Sequence, residues 1–185
     1  MAYYSINISD NNSFMCSSAD RVFEGMKGLS VCEACGYRTD FEYINHAFEL
    51  DRKSYDLSAT YDGYYIASLK FKECIQREQI ANVEFTVLKN EPNYFVVFVR
   101  EKVAFDTVKR KSRSENYCEL CGNHESFVGA TPAFLKEPAK GDLCRTDVMF
   151  GSGNAKHPVL IASEAFKELV QREKLQGIQF ERTRT

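Results

Sequence analysis

The sequence carries the motif Cys-x-x-Cys-Gly twice, as Cys32-Glu-Ala-Cys35-Gly36 and as Cys118-Glu-Leu-Cys121-Gly122, and the two copies are 86 residues apart. Two cysteines with two residues between them can direct both sulfurs at one metal ion while the backbone turns back. The glycine that follows allows a positive φ without a Cβ clash. Four thiolates from two such turns complete a tetrahedral zinc site with no open position. The two motifs therefore predict one structural zinc ion, bound by Cys32, Cys35, Cys118 and Cys121.

Two other uses of these cysteines stay open at the level of the sequence, namely a pair of disulfides or two separate redox pairs. Neither motif precedes a clear helix, as a thioredoxin-like redox pair would. The chain has seven cysteines, an odd number, so they cannot all pair as disulfides within it. Four metal ligands with Cys16, Cys74 and Cys144 as free thiols fit a reducing compartment better. We therefore expect a cytoplasmic protein.

Length and composition indicate a globular protein with a substantial core. The chain has 185 residues, of which 44% are hydrophobic and 27% charged, and its net charge is −2. Such a charge gives no overall attraction to nucleic acid or to an anionic membrane. No apolar run is long enough to cross a bilayer, and the first residues lack the pattern of a signal peptide.

An internal repeat is the second strong signal. Residues 66–85 align without gaps on residues 161–180, and ten of the twenty positions are identical. Each copy reads as strand, helix and strand. Ser68 and Ser163 stand where an N-cap hydroxyl is needed, and Asn82 and Gly177 are residue types that accept a left-handed conformation after a helix. The predicted buried stripes comprise Phe71, Cys74 and Ile75 in the first copy, and Phe166, Leu169 and Val170 in the second.

These observations together predict an α+β fold. We expect a single pseudo-duplicated domain over residues 1–185, with a first half of about residues 1–110 and a second half of about residues 111–185. Each half would contain one cysteine knuckle followed by one strand-helix-strand unit, and a zinc-ribbon-like site would join the halves. Because the metal would be shared by distant segments, its binding would contribute directly to folding.

Other stretches give weaker predictions. Strands are expected at residues 3–8, 29–31 and 94–100, with residues 103–108 as the hairpin partner of 94–100. Residues 16–28 are loosely amphipathic, and residues 129–158 read as a loop because they contain several glycines and prolines. The basic cluster Lys109, Arg110, Lys111 and Arg113 favours a solubilising turn, with a nucleic-acid contact as the alternative.

A candidate partner surface precedes the first repeat. Between Glu33 and Asp62 there are seven acidic and three basic residues, and aromatic residues, among them Phe48, Tyr64 and Tyr65, alternate with the acids. Exposed aromatics are the usual anchors of protein interfaces, whereas the alternative is a solvated loop. The residues that we expect to bind a partner are Phe41, Glu42, Tyr43, Glu49, Asp51, Tyr55, Asp56 and Tyr61.

No catalytic site is predicted. None of the remaining cysteines has the sequence context of a nucleophile. The segment Gly151-Ser-Gly153-Asn lacks the Lys-Ser/Thr and the following helix of a phosphate-binding loop. We therefore expect a protein that is not an enzyme.

The layout of the chain resembles the double-CxxCG-motif family of bacterial immunity proteins. The resemblance is most specific over Cys32–Gly36, Cys118–Gly122 and Val159–Phe180. It implies a cytoplasmic protein that binds and neutralises a cognate toxin by occlusion and has no catalytic activity. This chain departs from the family in its first knuckle, which commonly reads Cys-Pro-x-Cys-Gly, and this difference does not affect metal binding. The alternatives are a zinc-ribbon nucleic-acid-binding protein and a thiol-redox enzyme.

Overall fold

The computed structural model describes residues 2–16 and 28–184, and in these the chain is a mixed structure with much sheet and few helices. The strands are β1 (Tyr3–Ile8), β2 (Leu57–Ala59), β3 (Tyr65–Ser68), β4 (Val83–Leu88), β5 (Glu91–Val99), β6 (Lys102–Val103), β7 (Arg113–Cys118), β8 (Asn123–Val128), β9 (Leu143–Ser152), β10 (His157–Ser163) and β11 (Ile178–Arg182). The helices are α1 (Leu69–Arg77), α2 (Thr107–Arg110) and α3 (Glu164–Arg172), with a short 3-10 turn at Gly153–Ala155.

The strands form two sheets. The four-stranded sheet has the order β2-β3-β5-β4, and the seven-stranded sheet has the order β11-β1-β10-β9-β8-β7, with β6 pairing beside β9. All neighbouring strands are antiparallel except β6 and β9. The α+β prediction is confirmed at this level.

The two long helices begin where the sequence predicts. The hydroxyl of Ser68 accepts a hydrogen bond from the backbone N–H of Phe71 at 3.2 Å, and that of Ser163 accepts one from Phe166 at 3.1 Å. Both serines have extended backbone and act as N-caps. The buried faces of the helices consist of the predicted residues, Phe71, Cys74 and Ile75 in α1 and Phe166, Leu169 and Val170 in α3.

Each long helix ends several residues before the position that the sequence predicts for its left-handed cap, Asn82 for α1 and Gly177 for α3. The residues just after the helix caps, Gln79 and Lys174, already take positive φ, both at 53°. Asn82 and Gly177 take a second positive φ farther along, at 62° and 89°. Gly177 is required by space as well as by φ, because a Cβ there would lie 2.2 Å from the carbonyl oxygen of Leu57.

The strand registers of the two sheets match around these helices. Tyr94 of β5 lies opposite Ser68 of β3, as Tyr3 of β1 lies opposite Ser163 of β10. On their other sides, β5 pairs with β4 and β1 pairs with β11. The first strand of the chain therefore occupies, between β10 and β11, the place that β5 occupies between β3 and β4.

Equivalent residues of α1 and α3 also meet each other. Arg77 pairs with Glu173 at 2.7 Å and Arg172 pairs with Glu78 at 2.7 Å. The rings of Phe71 and Phe166 are 6.5 Å apart at a steep angle. These rings belong to a central apolar cluster shared by both sheets and both helices.

Two further apolar clusters cover the outer faces of the sheets. One packs Val103, Phe105 and apolar residues of the segment 133–139 against β9 and β10. The other packs residues 15–16 and 48–50 against β3 and β5. Phe48, Tyr64 and Tyr65, which sequence reading placed among the surface aromatics, are instead buried core residues.

Three local predictions are wrong. Residues 103–108 do not form a hairpin with β5: β6 pairs in parallel with β9, and the Asp106 side chain caps α2 by accepting from the backbone of Lys109. Residues 143–152, expected in a loop, form the long strand β9. The predicted strand at 29–31 is reduced to a single bridge between Val31 and Arg38.

The predicted amphipathic segment 16–28 lies outside the described residues except at its two ends. The long helices of the described chain have nine residues each, and none of its helices has the length and apolar character to traverse a bilayer.

Candidate metal centre

The first cysteine motif forms a tight turn at the end of the Val31–Arg38 bridge. The backbone N–H of Cys32 donates to the carbonyl of Tyr37 at 2.8 Å, and that of Gly36 donates to the carbonyl of Cys32 at 2.8 Å. Gly36 has a φ of 74°, which a residue with a Cβ rarely adopts. The turn is thus the one that the glycine predicts.

The second motif forms the tip of the β7–β8 hairpin. Cys118 and Asn123 are the last residue pair of the ladder. The backbone N–H of Gly122 donates to the carbonyl of Cys118 at 2.8 Å, and Gly122 has a φ of 70°. The two turns therefore share one geometry, which directs both cysteines of each motif to the same side.

The two turns face each other and bring their four sulfurs together. The Sγ atoms of Cys32 and Cys118 are 3.8 Å apart, those of Cys35 and Cys121 are 3.7 Å apart, and all four lie within 4.8 Å of one another. A tetrahedron with metal–sulfur bonds of about 2.3 Å has edges of about 3.8 Å, whereas a disulfide needs about 2.05 Å. All seven cysteines are free thiols. The cluster could therefore bind a metal ion.

The thiols of the cluster ionise unequally when no cation balances them. The backbone of Tyr37 favours the thiolate of Cys35, but burial and hydrogen bonds with the other three sulfurs outweigh it and raise the pKa of Cys35 to about 11. The backbone of Asn123 and the same sulfur contacts lower the pKa of Cys121 to about 7. Four thiolates this close repel one another, so a cation among them would favour full deprotonation.

A buried ammonium lies beside the cluster. The side chain of Lys156 donates to the backbone carbonyl of His124, two residues after the second motif, and Lys156 is only 4% exposed. Burial lowers the pKa of Lys156, while the sulfurs of Cys121 and Cys35 oppose that shift. A divalent ion with four thiolates carries a net charge of about −2, which this ammonium would partly offset.

Arg38 connects the first turn to the protein core, and no sequence pattern distinguishes it from a surface arginine. Its guanidinium donates to the carbonyl of Asp62 at 2.7 Å and to that of Lys156 at 3.3 Å. It also lies 4.6 Å from the ring of Phe41 and 4.9 Å from that of Tyr64. Arg38 is 2% exposed, so it holds the metal-binding turn in a fixed position.

The residues predicted to bind a partner have different environments. Glu42, Glu49, Asp51 and Tyr61 are exposed, whereas Phe41, Tyr43, Tyr55 and Asp56 are half-buried. The last of these makes clearly structural contacts: the Asp56 carboxylate accepts from the N-cap hydroxyl of Ser68 at 2.8 Å and from the backbone N–H of Gln176 at 2.9 Å.

The basic cluster lies where α2 leads into the metal-binding hairpin. Lys109, Lys111 and Arg113 are exposed, whereas Arg110 is half-buried and its guanidinium donates to the carbonyl of Thr131. The cluster is thus partly a structural contact and partly a solvated surface.

Comparisons with models of protein families and with curated proteins find no match for this chain.

Proposed function

We propose that this chain is an immunity protein that binds a cognate bacterial toxin in the cytoplasm and neutralises it by occlusion. In this proposal it has no catalytic activity of its own, and a structural zinc ion stabilises its fold. The support comes from the two Cys-x-x-Cys-Gly turns and from the resemblance of the sequence to the double-CxxCG-motif family.

The observation that carries the proposal is the meeting of four sulfurs from turns 86 residues apart. An all-sulfur tetrahedral site favours zinc over the hard cations, which prefer oxygen ligands. With four protein ligands no coordination position is left for substrate, so the ion would stabilise the fold and do no chemistry. That role suits a binding protein better than an enzyme.

The proposed toxin-binding surface uses the exposed members of the predicted set, namely Glu42, Glu49, Asp51 and Tyr61. The carboxylates of Glu49 and Asp51 and the ring of Tyr61 fit a partner with a basic face, because complementary charge accelerates association and an aromatic side chain supplies a central anchor. The carboxylate of Glu42 is already paired with Arg100. The ring of Tyr61 packs on Phe14 at 5.1 Å and is 49% exposed, so it is held in place and still accessible.

The direct test is co-expression with the toxin encoded beside this chain. We expect rescue of growth and a stable complex on size-exclusion chromatography. The variant D51N/Y61A should weaken the complex at least tenfold, whereas the control V87A, at an exposed position of β4, should bind as the parent does. No rescue and no complex with the neighbouring toxin would refute the proposal.

A nucleic-acid-binding role is the second candidate, and it is favoured only by the exposed cations Lys109, Lys111 and Arg113 beside the hairpin. It predicts an affinity for DNA or RNA that falls steeply with salt. Absence of a mobility shift at low salt would eliminate it.

We also infer that the chain contains two copies of one structural unit. In this interpretation β2-β3-α1-β4-β5 corresponds to β9-β10-α3-β11 completed by β1, and the zinc ion joins the two. The matching registers and N-caps support it. So does Asp142, which accepts from the Ser163 hydroxyl at 2.7 Å as Asp56 does from Ser68.

A further inference from the structure

A cleft of about 450 Å³ opens between the two sheets, at the edge of the central apolar cluster. Its apolar wall includes Val97 and Val99 of β5 and Met149 and Leu160 of the larger sheet, and charged residues complete the lining. This volume lies within the range of small-molecule sites, which combine apolar walls with a few polar groups. Two of its lining residues, Arg38 and Lys156, also lie next to the metal centre, and the inference below does not depend on the proposed function.

Arg145 enters this cleft from β9 without an anionic partner. It lies opposite Leu160 in the sheet register and is half-buried. Among the described residues no carboxylate forms an ion pair with its guanidinium. Burial lowers the pKa of Arg145, and the charge of nearby Arg100 adds to that effect, while Glu42 opposes it. Glu42 itself is held by Arg100, which also pairs with Glu84 at 2.7 Å.

The other cations of the cleft already have partners. Arg38 and Lys156 bring two more positive charges, and both are bonded to backbone carbonyls. The acidic residues of the lining are Glu42 and Asp40, and the Asp40 carboxylate accepts from the backbone N–H of Glu42 at 2.8 Å. Arg145 is the one cation of this lining whose side chain has no carboxylate or carbonyl partner among the described residues.

A second cleft lies at the position that corresponds to the first in the strand registers, and no lysine or arginine lines it. It is lined by Ile6, Ile8, Ala59 and Tyr65 and measures about 250 Å³. In the matching registers these residues stand where the larger cleft has Val97, Val99, Arg145 and Leu160. Ala59 stands at the position that corresponds to Arg145, so this arrangement of strands does not need a cation there. A cation without a partner is unfavourable in a partly apolar cleft, and an anionic ligand would supply that partner.

We propose that the larger cleft binds a small organic carboxylate with an apolar or aromatic body. The guanidinium of Arg145 forms a bidentate pair with the carboxylate, because its planar fork matches that group. The apolar wall receives the body of the ligand and excludes water around the ion pair.

The test is a calorimetric titration of the full chain, loaded with zinc, with 4-phenylbutyrate as the probe. We expect saturable binding of one probe molecule per chain. The neutral amide, 4-phenylbutyramide, should bind at least tenfold more weakly. R145M should also lose at least tenfold in affinity, and R145K should lose less, because lysine keeps the charge without the fork. R113M, at an exposed arginine outside the cleft, is the control and should bind as the parent does.

A second measurement separates a ligand site from a structural arginine. Without probe, R145M should unfold at a higher temperature than the parent, since it removes an unpaired cation from an apolar surface. With saturating probe, the parent should gain thermal stability and R145M should not. Failure of the probe to bind the parent, equal binding of acid and amide, or a probe-free R145M that is less stable than the parent would each overturn the proposal.

Discussion

Removal of the metal ion is expected to lower the free energy of unfolding by about 4 kcal/mol. The ion is held by two turns that are 86 residues apart and that folding brings together, so its binding stabilises the folded state and not the unfolded one. Binding to the folded state alone gives this magnitude at 25 °C when free zinc exceeds its dissociation constant by about 1,000-fold. A further loss is expected because four thiols without a cation repel once they ionise.

Urea unfolding followed by circular dichroism measures this effect. If the free energy of unfolding falls by about 2 kcal/mol per M urea, the urea concentration at half unfolding should fall by about 2 M when a chelator removes the ion. The variant C118S/C121S should unfold at a lower urea concentration than the parent, and the chelator should not lower that concentration further. C74S is the matched thiol control: Cys74 lies in the buried face of α1, so this variant should keep the full chelator-dependent shift.

Two results would refute this reasoning. One is an identical midpoint with and without chelator, in protein refolded with zinc. The other is an X-ray absorption spectrum that shows fewer than four sulfur neighbours at about 2.3 Å from the metal.

Three further predictions use the same unfolding assay. G177A should lower the free energy of unfolding by about 2 to 4 kcal/mol, because alanine disfavours positive φ and its Cβ would meet a carbonyl oxygen. N82G, at the equivalent position, should change the free energy of unfolding by less than about 1 kcal/mol. S68A and S163A should each cost about 1 kcal/mol through the lost N-cap, and a much larger loss at one serine would contradict their equivalence. Burial lowers the pKa of His157, so the folded state binds fewer protons than the unfolded chain. Stability is then full above about pH 6.5 and falls as the pH drops below it, and a H157Q variant that kept the parent's slope between about pH 6.5 and 5 would contradict this assignment.

Local signals in the sequence were enough to predict the cysteine cluster and the two long helices. A Cys-x-x-Cys-Gly motif specifies its own turn, because ligand spacing and the positive φ of Gly36 or Gly122 are properties of adjacent residues. The same holds for Ser68 and Ser163, whose hydroxyls cap the helices that directly follow. These predictions needed no knowledge of distant contacts.

The predictions that failed depended on distant partners. Strand β9 contains Gly151 and is followed closely by Gly153, so its composition reads as a loop, and its pairing with β8 and β10 decides its conformation. Aromatics such as Phe48 and Tyr64 are buried because other segments cover them. Arg38 and Arg145 differ in their surroundings and not in their sequence context, so neither could be identified from residue type alone.

The placement of β1 between β10 and β11 has a consequence for biosynthesis. At roughly 5 to 20 residues per second, the ribosome needs several seconds to half a minute to deliver the partners of this first strand. Until then Tyr3–Ile8 leaves the exit tunnel with no template to join, while β2 to β5 have already emerged and can close the smaller sheet. The nascent chain therefore exposes Tyr3–Ile8 as an unpaired strand until β10 and β11 have been made, and an unpaired strand edge is prone to pair with other chains.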